Sequence, residues 1–546
     1  MGDHTQSISR KDALKRMGGL ALGLPLASSI IKNASAVANY RSTVPGIKEN
    51  ATYPNIIPQR KPDKPNILWI TTEGVPLSVL SCYGSTIMKT PNIDRIAQEG
   101  MLFRHSFCNN ALCAPSRATL LTGKYDHLNG MLTNPGNTTN GATHSFFDPS
   151  QETFAQILRS HGYATGIAGK WHLVSSPGKP ANPGIAGFDY FVFKEGAGGP
   201  YYNPNGYFQN PSLGSNEIQE KSYPGYMTDT FTDLAIRGIN ALRKSNKPFC
   251  FTLQYFSDHR PFEPPHQYEH IYDQVRFPEP GTFWDDYKFR SSAARDAHMR
   301  IQDMMDFNPP KEYTPRQRRQ WSYQMLMRRF LGTLKRQDDN IGRLLDYLDK
   351  DHLSENTVVV FTGDHGFFLG EHGWFDKRFM YEPALCVPWL IRFPGVTKAG
   401  STSDAWVQSI DNAPTILDMV GLPVPADMQG RSLVPIFNGN TPDNWRNSLY
   451  YHYYEFAPPH WVLPNYGIRT NRFKLISYYT VNQWELFDLE RDPDEMDSLF
   501  SERGMEVNPP YADHLKDLLT ELKDLRQYYK DNTGKPVQFW ARDTYN

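Results

Sequence analysis

Short apolar stretches recur along the chain and alternate with stretches of helical periodicity. Four apolar runs, rich in β-branched and aromatic residues, span residues 66–72, 249–256, 357–362 and 389–393. Between them lie helical patterns, such as the leucine and isoleucine positions of residues 334–348. Strands that alternate with helices are typical of a parallel sheet covered by helices on both faces. The pattern predicts an α/β fold with a central mixed, mostly parallel sheet.

The pattern changes after about residue 445. Tyrosine-rich stretches of strand character are followed by a leucine repeat that gives one apolar face of a helix, formed by Leu515, Leu518, Leu519, Leu522 and Leu525. We therefore predict a main domain over residues 65–445. A smaller C-terminal α+β domain, with a short antiparallel sheet and a helix, is predicted over residues 446–546.

Residues 1–38 have the organisation of an export signal. Four basic residues between positions 10 and 16 precede the apolar run 17–31, and Ala36-Val37-Ala38 supplies a small-residue cleavage site. The segment predicts a protein that is exported, periplasmic or secreted. An amphipathic N-terminal helix or an uncleaved anchor is the alternative. Residues 39–64, rich in Pro, Asn and Lys, are predicted to be an irregular lead-in.

Charge and cysteine content exclude several classes of function. The 57 Lys and Arg residues are balanced by 58 Asp and Glu residues, so no global field attracts nucleic acid or an acidic membrane. An anionic ligand must therefore be held by a local cluster. The five cysteines are odd in number and form no C-x-x-C pair, which argues against a disulfide framework and against a thiolate zinc site.

One cysteine lies in an unusual setting, the segment LCAPSRATLLTGKY of residues 112–125. The segment is typical of a loop that enters a helix, because Pro115 suits the first helical turn. Cys113 would then lie at a helix N-terminus, where the dipole stabilises negative charge, with Arg117 one turn later. These residues alone fit a reactive thiol and a buried structural thiol equally well.

Acidic and imidazole side chains come directly after two of the predicted strands. Ligands of open α/β sheets bind at the carboxyl ends of the strands. Glu73 follows the first apolar run, and Asp364 and His365 follow the run 357–362. Together they would suit a hard metal ion. Each residue taken alone is more often a polar side chain satisfied within the protein.

Basic residues gather at the same predicted edge. Lys170 and His172 lie in the segment GKWH, His259 follows the run 249–256, and Lys377 follows the Asp364 segment. Each could be a solvated surface residue. Beside a cation site, however, they indicate a binding site for a tetrahedral oxyanion.

Taken together, these motifs resemble the type I, formylglycine-dependent sulfatases of the alkaline-phosphatase superfamily. Coverage runs from about residue 65 to residue 500. The matching segments are PNIL at 65–68, TPNID at 90–94, CAPSR at 113–117 with TG at 122–123, GKWH at 169–172, DHG at 364–366, GEHG at 370–373, DNAPT at 411–415, QGRS at 429–432 and ELFDL at 485–489. The resemblance implies the alkaline-phosphatase-like fold and a sulfuric ester hydrolase.

The resemblance also implies roles for individual residues. Cys113 would be oxidised to 3-oxoalanine (formylglycine), whose gem-diol attacks sulfur, so that S–O cleavage passes through a covalent sulfate hemiester. The other catalytic roles fall on side chains that hold charge or move protons: Arg117 on the formylglycine, Lys170 and Lys377 on the sulfate oxygens, His172 on the gem-diol and His259 on the leaving oxygen. One Ca²⁺ would be bound by Glu73, Asp364, His365 and the modified Cys113.

The segments of residues 366–381, 451–454 and 484–487 resemble those of bacterial N-acetylglucosamine-6-sulfatase-like polysaccharide sulfatases. This implies a sulfated oligo- or polysaccharide substrate. A formylglycine-generating (sulfatase-maturating) enzyme is a further implied partner, whereas nucleic acid and stable membrane insertion are not expected.

One position departs from the family pattern. In this family the first strand is usually followed by two acidic residues or by Asp and Gln. Here the corresponding pair is Glu73-Gly74. Glycine supplies no carboxylate, so the metal site would have one ligand fewer or would recruit another group. Two alternatives accompany the sulfatase hypothesis. A phosphonate monoester or phosphodiester hydrolase of the same superfamily would share the nucleophile motif and the sheet, and a non-catalytic relative that binds sulfated glycans would account for the missing carboxylate.

Overall fold

The computed structural model describes residues 62–535 and residue 537, apart from 138–144, 197, 210–217, 257 and 501–505. The predicted export signal, residues 1–38, lies outside the described residues, as does the lead-in up to residue 61. None of the helices in the described part of the chain is long and apolar enough to cross a membrane.

The strands are Asn66–Thr72 (β1), Met101–Phe107 (β2), Ala164–Lys170 (β3), Val174–Ser176 (β4), Lys179–Pro180 (β5), Tyr190–Lys194 (β6), Asn205–Gln209 (β7), Ile218–Ser222 (β8), Phe249–Gln254 (β9), Thr357–Gly363 (β10), Phe368–Leu369 (β11), Phe375–Asp376 (β12), Trp389–Arg392 (β13), Ser401–Gln408 (β14), Ser448–Tyr453 (β15), Asn465–Thr470 (β16), Phe473–Tyr478 (β17) and Gln483–Asp488 (β18).

The α-helices are Pro91–Gln98 (α1), Cys113–Thr122 (α2), Asp126–Asn129 (α3), Phe154–Ser160 (α4), Met227–Arg243 (α5), Ser292–Arg295 (α6), Pro315–Lys350 (α7), Glu382–Leu385 (α8), Asn412–Met419 (α9) and Ala512–Tyr528 (α10). The longest, α7, begins with a capping box between Thr314 and Gln317 and has Pro315 at its first position. Both features satisfy or remove backbone donors that the first helical turn leaves without partners.

The large sheet has the order β14-β2-β13-β10-β1-β9-β3-β6-β7-β8. Its centre, from β10 to β6, is parallel, whereas β13 runs antiparallel to both of its neighbours and β7 and β8 form an antiparallel edge. The run 389–393 is therefore an antiparallel member of the sheet. The carboxyl ends of the parallel strands β10, β1, β9, β3 and β6 meet at one edge, and the predicted site residues lie there.

The sheet separates two hydrophobic cores. On β1, Leu68 and Ile70 pack with α5 and α7 on one face, whereas Ile67 and Trp69 pack with α2, α4 and α9 on the other. Because both faces are covered, the central strands are apolar throughout rather than alternating.

The strands β15 to β18 form a separate antiparallel sheet at the C-terminal end of the chain. Helix α10 packs on it through Leu515, Leu518 and Leu522. The predicted α/β fold, with a mostly parallel central sheet and a small C-terminal α+β unit, is confirmed.

Candidate active site

The side chains just beyond β1 and β10 meet because these two strands are parallel neighbours. Thr72 at the end of β1 pairs with Gly363 at the end of β10, so Glu73 and Asp364 occupy equivalent positions after adjacent strands. Helix α2 points its first residue, Cys113, at both of them. The helix begins at Cys113 itself, two residues before Pro115.

Four potential ligands lie together at this point. One ligand atom from each of Glu73, Cys113, Asp364 and His365 lies within 4.8 Å of the others, and all four residues are buried. Cys113 Sγ donates to Glu73 Oε1 at 2.8 Å, and His365 Nε2 lies 3.5 Å from the same sulfur. The sequence therefore predicted a set of residues that the fold brings into contact.

Gly74, the departure from the family pattern, is shaped by its neighbours. Its backbone is left-handed (φ +57°), and its N–H donates to Asp364 Oδ1 at 3.1 Å. A Cβ at this position would lie 3.2 Å from the His365 ring and 3.3 Å from Phe367. A carboxylate side chain there would need the space that the imidazole of His365 occupies.

Two cations balance the buried carboxylates. Arg117 Nη2 donates to Glu73 Oε2 at 2.7 Å and to Asp364 Oδ2 at 3.0 Å, and Lys170 Nζ donates to Glu73 Oε2 at 2.8 Å. The other terminal nitrogen of the Arg117 guanidinium, Nη1, donates to Gln254 Oε1 at 2.5 Å. Gln254 was missed by sequence reasoning, although a buried polar residue at the end of β9 was a usable signal.

Lys377 approaches the cluster from β12. Its Nζ lies 3.9 Å from Glu73 Oε1 and 3.4 Å from Asp376 Oδ1. Asp376 also contacts Arg378 Nη1 at 2.8 Å and His460 Nε2 at 2.8 Å. Asp376 Oδ1 is thus ion-paired with Arg378 and Lys377, whereas the buried His460 Nδ1 has no hydrogen-bond partner among the described residues.

The Asp376, Arg378 and His460 group was not predicted from the sequence. Asp376 and Arg378 flank Lys377, which was a usable signal. His460 comes from a loop of the C-terminal domain, far away in sequence, and no local pattern indicated it.

The two histidines with predicted catalytic roles, His172 and His259, differ in their contacts. His172 is buried, has a left-handed backbone (φ +59°) and hydrogen-bonds the Cys113 thiol. His259 is half-buried, and its Nδ1 lies 3.1 Å from the carbonyl of Arg260. Within the described ranges, no hydrogen bond or ion pair joins His259 to the other predicted site residues.

Burial and charge shift the pKa values in the cluster. Burial alone raises the pKa of Glu73, but Lys170 and Arg117 outweigh it and hold the pKa well below its usual range. Burial and the neighbouring Glu73 raise the pKa of Asp364 to about 6. Burial and Lys170 lower the pKa of His172 to about 4, so its imidazole is neutral at pH 7 and able to accept a proton.

For the Cys113 thiol, burial and Glu73 raise the pKa, but Lys170, Lys377 and the hydrogen bond from His172 lower it well below the ordinary value for cysteine. The pocket therefore stabilises negative charge at the position of this side chain. That is the electrostatic setting of a nucleophile or of a bound oxyanion.

The sequence and the fold were compared with known proteins. Residues 65–422 match the family model "Sulfatase", and residues 370–527 match "N-sulphoglucosamine sulphohydrolase, C-terminal". An N-acetylglucosamine-6-O-sulfatase of Bacteroides thetaiotaomicron is 39% identical over 526 residues, which cover 87% of this chain and 88% of that protein. An ulvan-active sulfatase of Formosa agariphila is 27% identical over 86% of this chain and 84% of that protein.

A solved structure of a protein in complex with its substrate, D-glucosamine-2-N,6-O-disulfate, has a similar fold. It superposes with a TM-score of 0.76 at 37% identity and covers 87% of this chain and 99% of that chain. The extent of these matches, and the cluster around Cys113 that the matched residues build, lead to one conclusion: the chain belongs to the sulfatase family.

Proposed function

We propose that this sulfatase removes O-sulfate groups from a sulfated carbohydrate, an oligo- or polysaccharide that carries a sulfated amino sugar. One observation supports this most directly. Cys113, in the CAPSR segment, lies at the start of α2 within a ring of Glu73, His365, Lys170, Lys377 and His172. The similarity to a carbohydrate sulfatase over most of both chains supports the substrate class.

In this proposal Cys113 is converted to formylglycine by a sulfatase-maturating enzyme, and its hydrate supplies the nucleophilic oxygen. The neutral imidazole of His172 would take the proton from that oxygen. Lys170 and Lys377 would bind the sulfate oxygens, on which charge develops during transfer. Arg117, which the carboxylates and Gln254 hold in place, would compensate charge beside the nucleophile. His259 would protonate the leaving sugar oxygen.

The residues present fit a divalent cation. The carboxylates of Glu73 and Asp364 are hard oxygen donors that suit Ca²⁺, and the His365 nitrogen and the oxygen at position 113 would complete a set of four protein ligands. The ion would supply a positive charge that orients the nucleophile and a sulfate oxygen. His365, whose ring lies 3.2 Å from where a Cβ at Gly74 would stand, would supply the ligand atom that Gly74 does not. We expect a chelator to abolish turnover and added Ca²⁺ to restore it.

The Asp376, Arg378 and His460 group would bind hydroxyl or amide groups of the sulfated sugar. The three side chains are buried and adjoin Lys377, and His460 keeps its Nδ1 without a partner among the described residues. Buried polar atoms of this kind cost free energy unless a ligand or water satisfies them.

The remaining predictions concern organisation and location. Residues 1–38 would be an export signal and residues 39–64 a lead-in. Residues 65–445 would form the catalytic domain and residues 446–546 the C-terminal domain. The mature protein would then act in the periplasm or outside the cell.

The decisive experiment combines two measurements on one preparation made with a maturating enzyme. The mass of the tryptic peptide that contains Cys113 reports formylglycine, and ion chromatography reports sulfate release from a panel of sulfated oligosaccharides. We expect the modified peptide together with release of sulfate from a 6-O-sulfated amino sugar. Formylglycine without release from any sulfate ester would refute the proposal.

The same preparation separates the alternatives. A phosphonate monoester or phosphodiester hydrolase would turn over an aryl phosphodiester faster than an aryl sulfate. A binding relative without activity would bind the sulfated sugars and release no sulfate.

A further inference from the structure

A third lysine lies at the same edge of the sheet, one strand beyond Lys170. Lys194 ends β6, where it pairs in register with Lys170 at the end of β3. Its Nζ stands over the ring of Phe256, 5.6 Å from the centroid, just after the end of β9. Because β3 lies between β6 and β9, the Lys194 side chain crosses the strand end that carries Lys170.

Lys194 lacks the carboxylate partner that the other two lysines have. Lys170 contacts Glu73, and Lys377 contacts Asp376. The side chain of Lys194 instead donates to the backbone carbonyl of Glu195 at 3.3 Å, and no ion pair joins it to a carboxylate within the described ranges. The residue is only 8% exposed. A nearly buried ammonium without a counter-ion is costly, and an anionic ligand would remove that cost.

The neighbouring Glu195 compensates the charge of this lysine only in part. Its Oε2 is buried without a hydrogen-bond partner in the protein. Burial raises the pKa of Glu195 to about 7, so its carboxyl carries only part of a negative charge near neutral pH. Burial and the nearby Lys170 lower the pKa of Lys194, and the attraction of Glu195 does not offset them.

We infer that Lys194 binds a second anionic group of the substrate, a sulfate or carboxylate on the same saccharide as the scissile sulfate, while the free Glu195 oxygen receives a neighbouring hydroxyl or N–H. This rests on the proposed function. In the proposed function Lys170 binds the reacting sulfate. Lys194 pairs in register with Lys170 on the adjacent strand, so it would face a neighbouring substituent of the same saccharide. The enzyme would therefore prefer saccharides with two acidic groups over those with one.

The test measures binding rather than turnover, in the Cys113→Ala background. Isothermal titration gives the Kd of glucosamine 6-O-sulfate, of glucosamine 2-N,6-O-disulfate and of a disaccharide that joins the 6-O-sulfated sugar to a uronic acid. We expect at least one doubly anionic ligand to bind about tenfold more tightly than the monosulfate, the contribution of about one charge-assisted hydrogen bond. Comparison of the disulfate with the uronic acid disaccharide shows whether the second anion is a sulfate or a carboxylate.

Lys194→Gln should remove this preference and leave the affinity for the monosulfate within about twofold, a factor worth about 0.4 kcal/mol. Lys194→Arg should restore the preference. Lys221→Gln, at an exposed lysine of β8, is the matched control and should change neither affinity. The inference is overturned if all three ligands bind alike, or if Lys194→Gln leaves their ratio unchanged.

Failure of the inference can be told apart from failure of the proposed function. Because the binding assay requires no turnover, loss of the ratio in Lys194→Gln supports the second-anion site whether or not the Cys113 protein releases sulfate. Conversely, sulfate release by an enzyme that shows no preference refutes only the role of Lys194.

Discussion

At the residue scale, the site is a set of buried charges in which each member has a counter-charge. Glu73 alone receives Lys170 and Arg117 on one oxygen and the Cys113 thiol on the other. Removing one partner of such a buried set leaves an uncompensated charge, which typically costs about 3–5 kcal/mol. Replacing Cys113 leaves the ion pairs of Glu73 with Arg117 and Lys170 in place, so this side chain can be removed at the least cost to folding.

Cys113→Ala should therefore abolish sulfate release while the melting temperature stays close to that of the unmodified protein. Alanine removes the side chain that would become the nucleophile but leaves the ion pairs of Glu73 and Asp364 with Arg117 intact, and α2 keeps its first residue. The measurement is sulfate release together with thermal unfolding. Cys250→Ala is the matched control, a buried thiol in β9 remote from the cluster, and should keep its activity. A collapse of the melting temperature in Cys113→Ala would show that the thiol is structural.

At the element scale, helix α2 is held in place by the first residue of α3. Asp126 is buried and accepts hydrogen bonds from Asn110 at 2.8 Å and from Thr119 at 3.1 Å. It thus joins the loop before Cys113 to the middle of the helix. Tyr451 supports the same loop, because its hydroxyl accepts the N–H of Ala111 at 3.1 Å.

Asp126→Asn should alter the pH dependence of stability. Burial raises the pKa of Asp126 to about 7 from 3.8, despite the hydrogen bonds that it accepts. The folded protein therefore binds this proton more tightly than the unfolded chain, and the free energy of unfolding falls as pH rises from about 4 to about 7. Asparagine does not titrate, so the melting temperature of the variant should rise relative to that of the wild type as the pH increases across this interval.

Thermal unfolding of both proteins at half-unit steps between pH 4 and pH 8 measures this difference. Two curves that remain parallel would show that Asp126 is not the group responsible. Asp148→Asn is a suitable control, because that exposed carboxylate contacts only its local turn.

At the scale of the whole molecule, the C-terminal domain is joined to the main domain by a polar seam. Asp531, which follows α10, accepts hydrogen bonds from Tyr450 at 2.6 Å and contacts His452 Nδ1 at 2.7 Å. His127 of the main domain lies 3.8 Å from the same carboxylate and 2.8 Å from the carbonyl of Tyr529. The seam fixes the domain that delivers His460 to Asp376.

Asp531→Ala should lower the free energy of unfolding by about 3–5 kcal/mol, because two buried side chains lose their shared acceptor. Chemical denaturation at neutral pH measures the change. Asp524→Ala, at an exposed position of α10, is the control and should stay within about 0.5 kcal/mol of the wild type. An equally small effect of Asp531→Ala would show that this carboxylate contributes little to the stability of the fold.

Local sequence was enough to predict the strand ends and the site residues just beyond them. The apolar runs locate β1, β9 and β10. Because ligands bind at the carboxyl ends of parallel strands, the residues just beyond them, Glu73, Asp364 and His365, were predicted to form a site, and the structure does bring them together. The CAPSR segment predicted a helix start with Cys113 near its N-terminus. These features depend on neighbouring residues and on the periodicity of strands and helices, which the chain carries wherever it folds.

Tertiary structure alone decided which side chains meet across long separations. Gln254 reaches Arg117 because β9 lies beside β1, and His460 reaches Asp376 because the C-terminal domain docks there. Among the residues that the structure describes, no carboxylate forms an ion pair with Lys194, and only the folded sheet decides this. Such contacts depend on strand order, loop paths and domain packing, whose free energies are shared over the whole molecule and leave no periodic trace in the sequence.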